Sequence, residues 1–327
     1  MPRSITILVT LALAVLGAPL ASDAQRPPKV HRIGFLGAAS SSGYASLVEA
    51  FRQGLRDLGY VEGKNIVIEY RWAEGRYDSL PDLAAELVRL NVEVIVTHGT
   101  PGTLAAKQAT KTIPIVMAVS GDAVATGIVA SVARPGGNIT GSTFFFPEIN
   151  AKRLELLKEA VPRASRVALL LNPDNPSMGP VLKAVEAAAR SLKVQLHQFE
   201  VRSPDEFAGA FSAMTKRRAE AVAIIDDAVL IAHAGRIADL AVKSRLPTIG
   251  FREYADVGGL MAYAVNFPDI WRRAAVFVDK LLKGAKPADL PIEQATKFEL
   301  IINLKTAKAL GLTMPQSLLI RAEHVIQ

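Results

Sequence analysis

The chain of 327 residues is 50% hydrophobic and 21% charged, with a net charge of +7 and no cysteine. This is ordinary globular composition and excludes a disordered or fibrous chain; the missing thiols exclude a disulfide framework, a thiolate nucleophile and a zinc-thiolate site. The positive charge is dispersed: its densest runs, Lys216-Arg217-Arg218 and Arg272-Arg273, lack interleaved aromatics and read as solvated helix faces, so no nucleic-acid partner is expected.

At the N-terminus, Arg3 precedes an uncharged, mostly apolar run from Ile5 to Leu16, followed by Gly17, Pro19 and the small-residue site Ser22-Asp23-Ala24. That order is the order of a secretory signal, and the run is short of the about 20 apolar residues a membrane span needs. Residues 1–24 are therefore expected to be a signal peptide cleaved after Ala24, with Ala21 as the alternative site, leaving a soluble periplasmic chain with no cysteine to carry a lipid. The remaining chain, about 300 residues, exceeds what one hydrophobic core usually serves, so two domains are expected.

Beyond Pro27-Pro28, Val30 to Gly37 reads as a buried strand, followed by a helix with Leu47, Val48, Phe51, Leu55 and Leu58 on one face. Ile66 to Tyr70 is a second strand. Ser79-Leu80-Pro81-Asp82 has the cap and acidic first turn of a helix N-terminus. Val92 to Thr97 is a third strand, after which Thr100 and Pro101 read as cap and first residue of the next helix. Ile113 to Val119 and, past the turn Pro135-Gly136-Gly137, Asn138 to Thr143 supply a fourth and fifth strand.

The same alternation restarts near Arg166. Strands are predicted at Arg166 to Leu171, Val194 to Glu200, Ala221 to Ile225 and Pro247 to Gly250, with Gly259 to Tyr263 joining them. Ser203-Pro204-Asp205-Glu206 has the spacing of a capping box. Strands alternating with helices of this length imply α/β architecture: two Rossmann-like parallel-sheet lobes. Trp271 to Leu282 is a basic amphipathic helix, Gly284 to Pro291 a connector and Phe298 to Asn303 a late strand, a sequence of elements that returns the chain to the first half and crosses again, or else forms a small appendage on the second. The division expected is 28–143 with about 266–290 as lobe 1, 150–263 with about 291–327 as lobe 2, and a multi-crossing hinge near 144–149, 264–267 and 288–297.

Ligands of parallel α/β sheets bind beyond the carboxyl ends of the strands. Those positions hold Ser40 and Ser41; His98, Gly99 and Thr100 at a helix N-terminus able to offer free N–H groups; and Ser120 with Asp122. The second half adds Asn172 and Asn175, Asp226 beside Asp227, and Phe251. This inventory suits a zwitterion: its carboxylate at the Thr100 helix terminus and the serine hydroxyls, its ammonium at Asp226, Asp227 or Asp122, its side chain under Phe251 and Tyr263. Each polar residue has a plainer reading beside this one, with Ser40 and Asp226 as helix caps and Asn172-Pro173 as a turn.

Catalytic signatures are missing. Gly59 to Asn65 has one residue too few between its glycines for a phosphate loop, and no G-x-S-x-G, H-E-x-x-H or G-x-G-x-x-G occurs. The five histidines show no metal-ligand spacing, so neither a metal nor a cofactor is expected. Asp226 and Asp227 are adjacent on an extended segment and point to opposite faces, which argues against paired-carboxylate catalysis.

From His31 onward the chain resembles the bacterial ABC-transporter substrate-binding proteins related to tryptophan- and tyrosine-uptake receptors. The resemblance rests on 51–60 (FRQGLRDLGY), 113–116 (IPIV), 133–141 (ARPGGNITG), 153–158 (RLELLK) and 297–303 (KFELIIN). It implies the type I periplasmic-binding fold, a monomer that closes on a small-molecule solute at its hinge, and delivery to an inner-membrane ABC permease with its ATPase. The sequence departs from the family pattern at His98, Ala123 and Tyr263 to Asn266, all at the expected cleft. A secreted two-domain α/β enzyme and a receptor for a membrane sensor are the alternatives.

Overall fold

The computed structural model describes residues 29–327, and the expected signal peptide lies outside the described residues. Strand and helix alternate through β1 (His31–Gly37), α1 (Ala45–Asp57), β2 (Ile66–Trp72), α2 (Leu80–Arg89), β3 (Val94–His98), α3 (Gly99–Ala109), β4 (Ile115–Ser120) and β5 (Ile139–Phe144). After α4 (Phe146–Ala160) the series repeats as β6 (Arg166–Leu171), α5 (Met178–Ser191), β7 (Gln195–Glu200), α6 (Phe207–Lys216) and β8 (Ala221–Ile224). It continues with α7 (Ala228–Ala232), α8 (Ala234–Lys243), β9 (Thr248–Gly250), α9 (Arg252–Asp256) and β10 (Met261–Ala264). The last segment adds α10 (Phe267–Leu282), β11 (Glu293–Ala295), β12 (Glu299–Asn303), α11 (Leu304–Ala309), α12 (Gln316–Arg321) and β13 (His324–Ile326).

The strands form two sheets within the unit His31–Gln327. The first runs β11-β5-β4-β3-β1-β2 with every pair parallel. The second runs β13-β12-β10-β9-β8-β6-β7 and is parallel except where β10 meets β12. In both, the second strand of the series lies on one side of the first and the third, fourth and fifth lie on the other. Such a reversal opens a crevice beyond the carboxyl ends of the strands. The crevices therefore fall at the ends of β1 and β3 in one lobe and of β6 and β8 in the other.

Because helices cover both faces of a parallel sheet, its strands read as continuous apolar runs; β1 buries Ile33, Phe35 and Leu36 completely. Helix α10 follows β10 of the second sheet yet packs against α1 in the first lobe. Asn266 starts it by accepting a hydrogen bond from the Asp269 N–H at 3.2 Å. Its stripe Phe267, Trp271, Ala274, Ala275 and Val278 is buried, and the two aromatic rings contribute about 1.5–3 kcal/mol each by leaving water. The Tyr60 hydroxyl, donating to Asp279 Oδ1 at 3.0 Å, ties the far end of α10 to the loop after α1.

Some local details differ from the sequence reading. Residues Glu293–Ala295, which the sequence reading put within the crossing near 288–297 at the start of the second lobe's tail, pair with β5 in the first sheet. A three-residue edge strand held by backbone pairing leaves no apolar pattern to read. The capping box at Ser203 does not form: Ser203 makes no side-chain cap, and Glu206 accepts instead from the Arg202 N–H at 2.7 Å. Likewise the Ser79 hydroxyl donates to the Arg76 carbonyl and leaves α2 without a side-chain cap.

Candidate functional site

The two crevices face each other across a cavity with about 490 Å³ of free space, its open mouth included. Its walls come from both lobes. The first lobe supplies Tyr44, Leu47, His98, Gly99, Thr100, Pro101, Val119, Ser120, Gly121, Phe144, Phe267 and Trp271; the second supplies Phe146, Asn175, Ser177, Asp226, Asp227, Ala228 and Ile231.

One side is aromatic. Strand β3 ends with a register shift between Thr97 and His98, and Gly99 turns the chain into α3 at φ +70°, a left-handed conformation that favours glycine. The His98 ring is thereby held 4.2 Å from the Tyr44 ring and 5.1 Å from Trp271, centroid to centroid. Its Nε2 accepts from the Ala38 N–H at 3.3 Å, so the ring proton sits on Nδ1. Burial pushes His98 down to about 3, and the ring is neutral at any physiological pH. Trp271 is fully buried, and its Nε1 meets no acceptor among the described residues.

The other side is hydroxyl- and carboxylate-bearing. Helix α3 begins at Gly99 with His98 at the N-cap position, so Thr100 lies inside the first turn rather than capping it as the sequence implied. Thr100 Oγ1 lies 3.3 Å from Ser120 Oγ and accepts from the Ser177 hydroxyl at 2.6 Å, a hydrogen bond between lobes. A second interlobe bond runs from the Tyr77 hydroxyl to Asp227 Oδ2 at 2.7 Å. Asp227 also accepts from Asn175 Nδ2 at 3.0 Å, Asn172 Nδ2 at 3.2 Å and the Val229 N–H at 3.0 Å, the last capping α7. Burial raises the Asp227 carboxyl above its ordinary value, and these four donors offset part of that cost. Gly43 packs on Ala232 of the opposite lobe so closely that an added Cβ would stand 2.4 Å from the Ala232 Cβ.

Asp226 is committed elsewhere. It forms a two-pronged ion pair with Arg153 of α4, Nη2 to Oδ1 at 3.0 Å and Nη1 to Oδ2, with both residues buried. The same guanidinium donates to the carbonyl of Tyr263 at 2.8 Å, to Asn150 Oδ1 at 3.1 Å and to the carbonyl of Ile224 at 3.3 Å.

Of the residues singled out from sequence, His98, Gly99, Thr100, Ser120, Asn175 and Asp226 come together on the cavity wall. Asn172 is buried one layer behind, holding Asp227. Ser40 is off the cavity wall, lining a separate pocket with Glu74, Arg202 and His233, and accepts from the Gly43 N–H at 3.2 Å, and Ser41 is exposed. Asp122 turns away to accept from the N–H groups of Val124 and Ala125 at 3.1 and 3.0 Å, closing its own turn. Phe251 is fully buried in the core of the second lobe, 6.0 Å from the Tyr254 ring. Tyr263 lines an outer groove with Phe145 and Phe298. Neither aromatic ring covers the cavity, because each finds apolar partners within or behind its own lobe.

The cavity's own aromatics, Tyr44 and Trp271 with Phe144, Phe146 and Phe267, were not anticipated as site residues. Tyr44 and Trp271 sit beside and on helices whose apolar spacing announces a buried stripe without saying that one end of it opens on a ligand space. Arg153 heads a stretch that carries the family resemblance, but neither it nor Ser177 gave a sign of its role in the site, since their partners lie 73 and 77 residues away in sequence.

The sequence matches the family described as ABC transporter substrate binding protein over residues 33–326. A tyrosine-binding protein of Clostridioides difficile (strain R20291) is 25% identical over 265 residues, which cover 81% of this chain and 76% of that one. Among solved structures, an ABC domain from Streptococcus pneumonia in complex with L-Trp superimposes with a TM-score of 0.82 at 25% identity, covering 91% of this chain and all of the other. A conserved domain protein from Vibrio cholerae shares the fold with a TM-score of 0.84 at 24% identity and the same coverage. The chain belongs to the ABC transporter substrate-binding protein family, which is a family of substrate-binding proteins and not of enzymes.

Proposed function

Starting from that membership, we propose that the chain is an extracytoplasmic receptor that closes its two lobes around an aromatic amino acid and hands it to the permease of an ABC importer. The observation that carries this reading is the cavity wall: the rings of Tyr44, His98, Trp271, Phe144, Phe146 and Phe267 stand beside the first turn of α3 and three hydroxyls. The aromatic side chain fits among the rings. The carboxylate fits at the Gly99–Thr100 terminus with Thr100, Ser120 and Ser177. Neutral His98 adds a flat apolar face without competing for the charge. The relatives named for tyrosine binding and solved with L-Trp support the same ligand class.

Closure follows from contacts that exist only when the lobes meet. A ligand touching both lobes favours the closed arrangement by its differential affinity for it. The Tyr77–Asp227 and Ser177–Thr100 bonds and the Gly43–Ala232 contact add to that preference. The hinge would run through the three crossings near 144–149, 264–267 and 288–297. Export rests on the leader-like residues 1–24, and no helix among the described residues is long and apolar enough to cross a membrane. The permease and its ATPase are the partners, and the receptor works as a monomer.

Isothermal titration of residues 25–327, stripped of retained ligand by unfolding and refolding, tests the reading. L-tyrosine, L-tryptophan or L-phenylalanine should bind in the micromolar range or tighter, whereas ribose and L-glutamate should not. Binding of the sugar or of glutamate in preference to all three aromatic amino acids would refute it.

A further inference from the structure

Two polar groups on the cavity wall have no partner among the described residues. The Tyr44 hydroxyl makes no hydrogen bond, and His98 makes one, at Nε2, which leaves its Nδ1–H without an acceptor. Both residues are 2% exposed and both line the cavity. The buried side-chain atoms that lack a partner and touch no free space are Trp271 Nε1 and the carboxylate oxygens of Glu253. The Tyr44 hydroxyl and His98 Nδ1 are therefore not sealed in packing, and the free space that their rings line is the cavity. With ring centroids 4.2 Å apart, the two groups share one stretch of wall. Buried polar groups are nearly always hydrogen-bonded, so a pair left unfilled on a cavity wall points to a ligand.

Both groups are donors. A neutral imidazole that accepts at Nε2 donates from Nδ1, and a phenol donates its O–H while keeping lone pairs to accept with. Burial, with the charges of Asp227, Glu253 and Asp226, holds the Tyr44 phenol well above its ordinary value, and its proton stays in place. The other rings on the wall offer an oxygen nothing: Phe144, Phe146 and Phe267 carry no polar atom, and Trp271 Nε1 is sealed. A phenylalanine side chain would leave both donors unfilled, and the indole of tryptophan would bring a further N–H donor. The phenolic oxygen of tyrosine accepts.

Resting on the reading of the cavity as an aromatic amino-acid site, we infer that Tyr44 and His98 form a subsite for a side-chain hydroxyl and make the receptor selective for L-tyrosine over L-phenylalanine and L-tryptophan. The ligand phenol accepts from His98 Nδ1–H and exchanges a hydrogen bond with the Tyr44 hydroxyl. The face of the His98 ring packs on apolar neighbours while its edge reads the hydroxyl. A site that hydrogen-bonds a ligand hydroxyl rejects the analogue lacking it more strongly than an apolar pocket rejects a change of size, because its own buried groups are then left unpaired.

Isothermal titration of wild type, Tyr44→Phe and His98→Phe with the three amino acids tests the inference, read as the Kd for L-phenylalanine divided by that for L-tyrosine. Both ligands meet the same variant, so the ratio cancels what a substitution does to folding or closure. Wild type should give a ratio of at least about 20, from two unfilled donors at about 5-fold or more each, and should bind L-tryptophan more weakly than L-tyrosine. Each variant should lower the ratio about 5-fold or more, mainly through weaker L-tyrosine binding. Tyr44→Phe removes an oxygen that holds no protein group and should melt close to wild type, so it tests the inference even if His98→Phe, which strands the Ala38 N–H, folds poorly. An unchanged ratio in Tyr44→Phe, or a wild type that binds L-phenylalanine or L-tryptophan as tightly as L-tyrosine, overturns the inference while leaving the aromatic amino-acid site intact. Variants that weaken all three ligands alike would put the two donors on the carboxylate common to them and overturn it as well. A wild type that binds none of the three overturns the site reading and this inference with it.

Discussion

Replacing Asp226 separates a structural role from a ligand-binding one. The Arg153–Asp226 pair is 1% and 6% exposed, and Arg153 also fastens the carbonyl of Tyr263, next to the second crossing between lobes. Asp226→Ala leaves a buried guanidinium without its counter-charge, which costs about 3–5 kcal/mol. Against a typical total of about 5–15 kcal/mol this is a large share. At roughly 2–4 °C per kcal/mol for a body of this size, the unliganded melting temperature should fall by about 6–20 °C. Arg153→Met combined with Asp226→Ala removes the stranded charge, and the double variant should recover part of the loss although the Tyr263 carbonyl stays unpaired. Differential scanning calorimetry without ligand, followed by titration with the aromatic amino acid bound by wild type, measures both effects. A variant that melts like wild type and yet no longer binds would refute the structural role and return Asp226 to the ligand.

Gly43→Val should act on closure alone: its Cβ would stand 2.4 Å from that of Ala232 when the lobes meet, so ligand affinity should fall at least about 10-fold with the unliganded melting temperature unchanged. Tyr77→Phe removes the hydrogen bond to Asp227 across the cleft and should raise Kd by about 10- to 150-fold, with small-angle scattering showing a more open unliganded form. For His98 the folded-state value of about 3 lies below the unfolded value of about 6.5, so the unfolded chain takes up the proton first. Its contribution to stability is complete above about pH 6.5 and fades as pH falls toward 3, about 2 kcal/mol being lost by pH 5; urea unfolding at pH 7 and 5 should show that slope, and His98→Phe should flatten it. Trp271 is one of two tryptophans and the one on the cavity wall, so ligand should change the intrinsic fluorescence of wild type and of Trp72→Phe but leave Trp271→Phe nearly silent.

Apolar periodicity and chain-order alternation carried the architecture. The run Arg166 to Leu171 is buried almost throughout and reads as a strand on its own, and such runs recurring between helices leave a parallel sheet as the economical way to cover both faces. Because that topology puts ligands at strand ends, His98, Gly99, Thr100, Ser120, Asn175 and Asp226 could be located on the cavity before any coordinates. Local spacing is silent about partners remote in the chain. It does not show that Asp226 is neutralised by Arg153, that Asp227 is held from the opposite lobe by Tyr77, or that Trp271 on a helix after β10 is carried back to the first lobe. Patterning is a property of consecutive residues, whereas charge pairing and the direction of an aromatic ring are decided by groups that become neighbours only on folding.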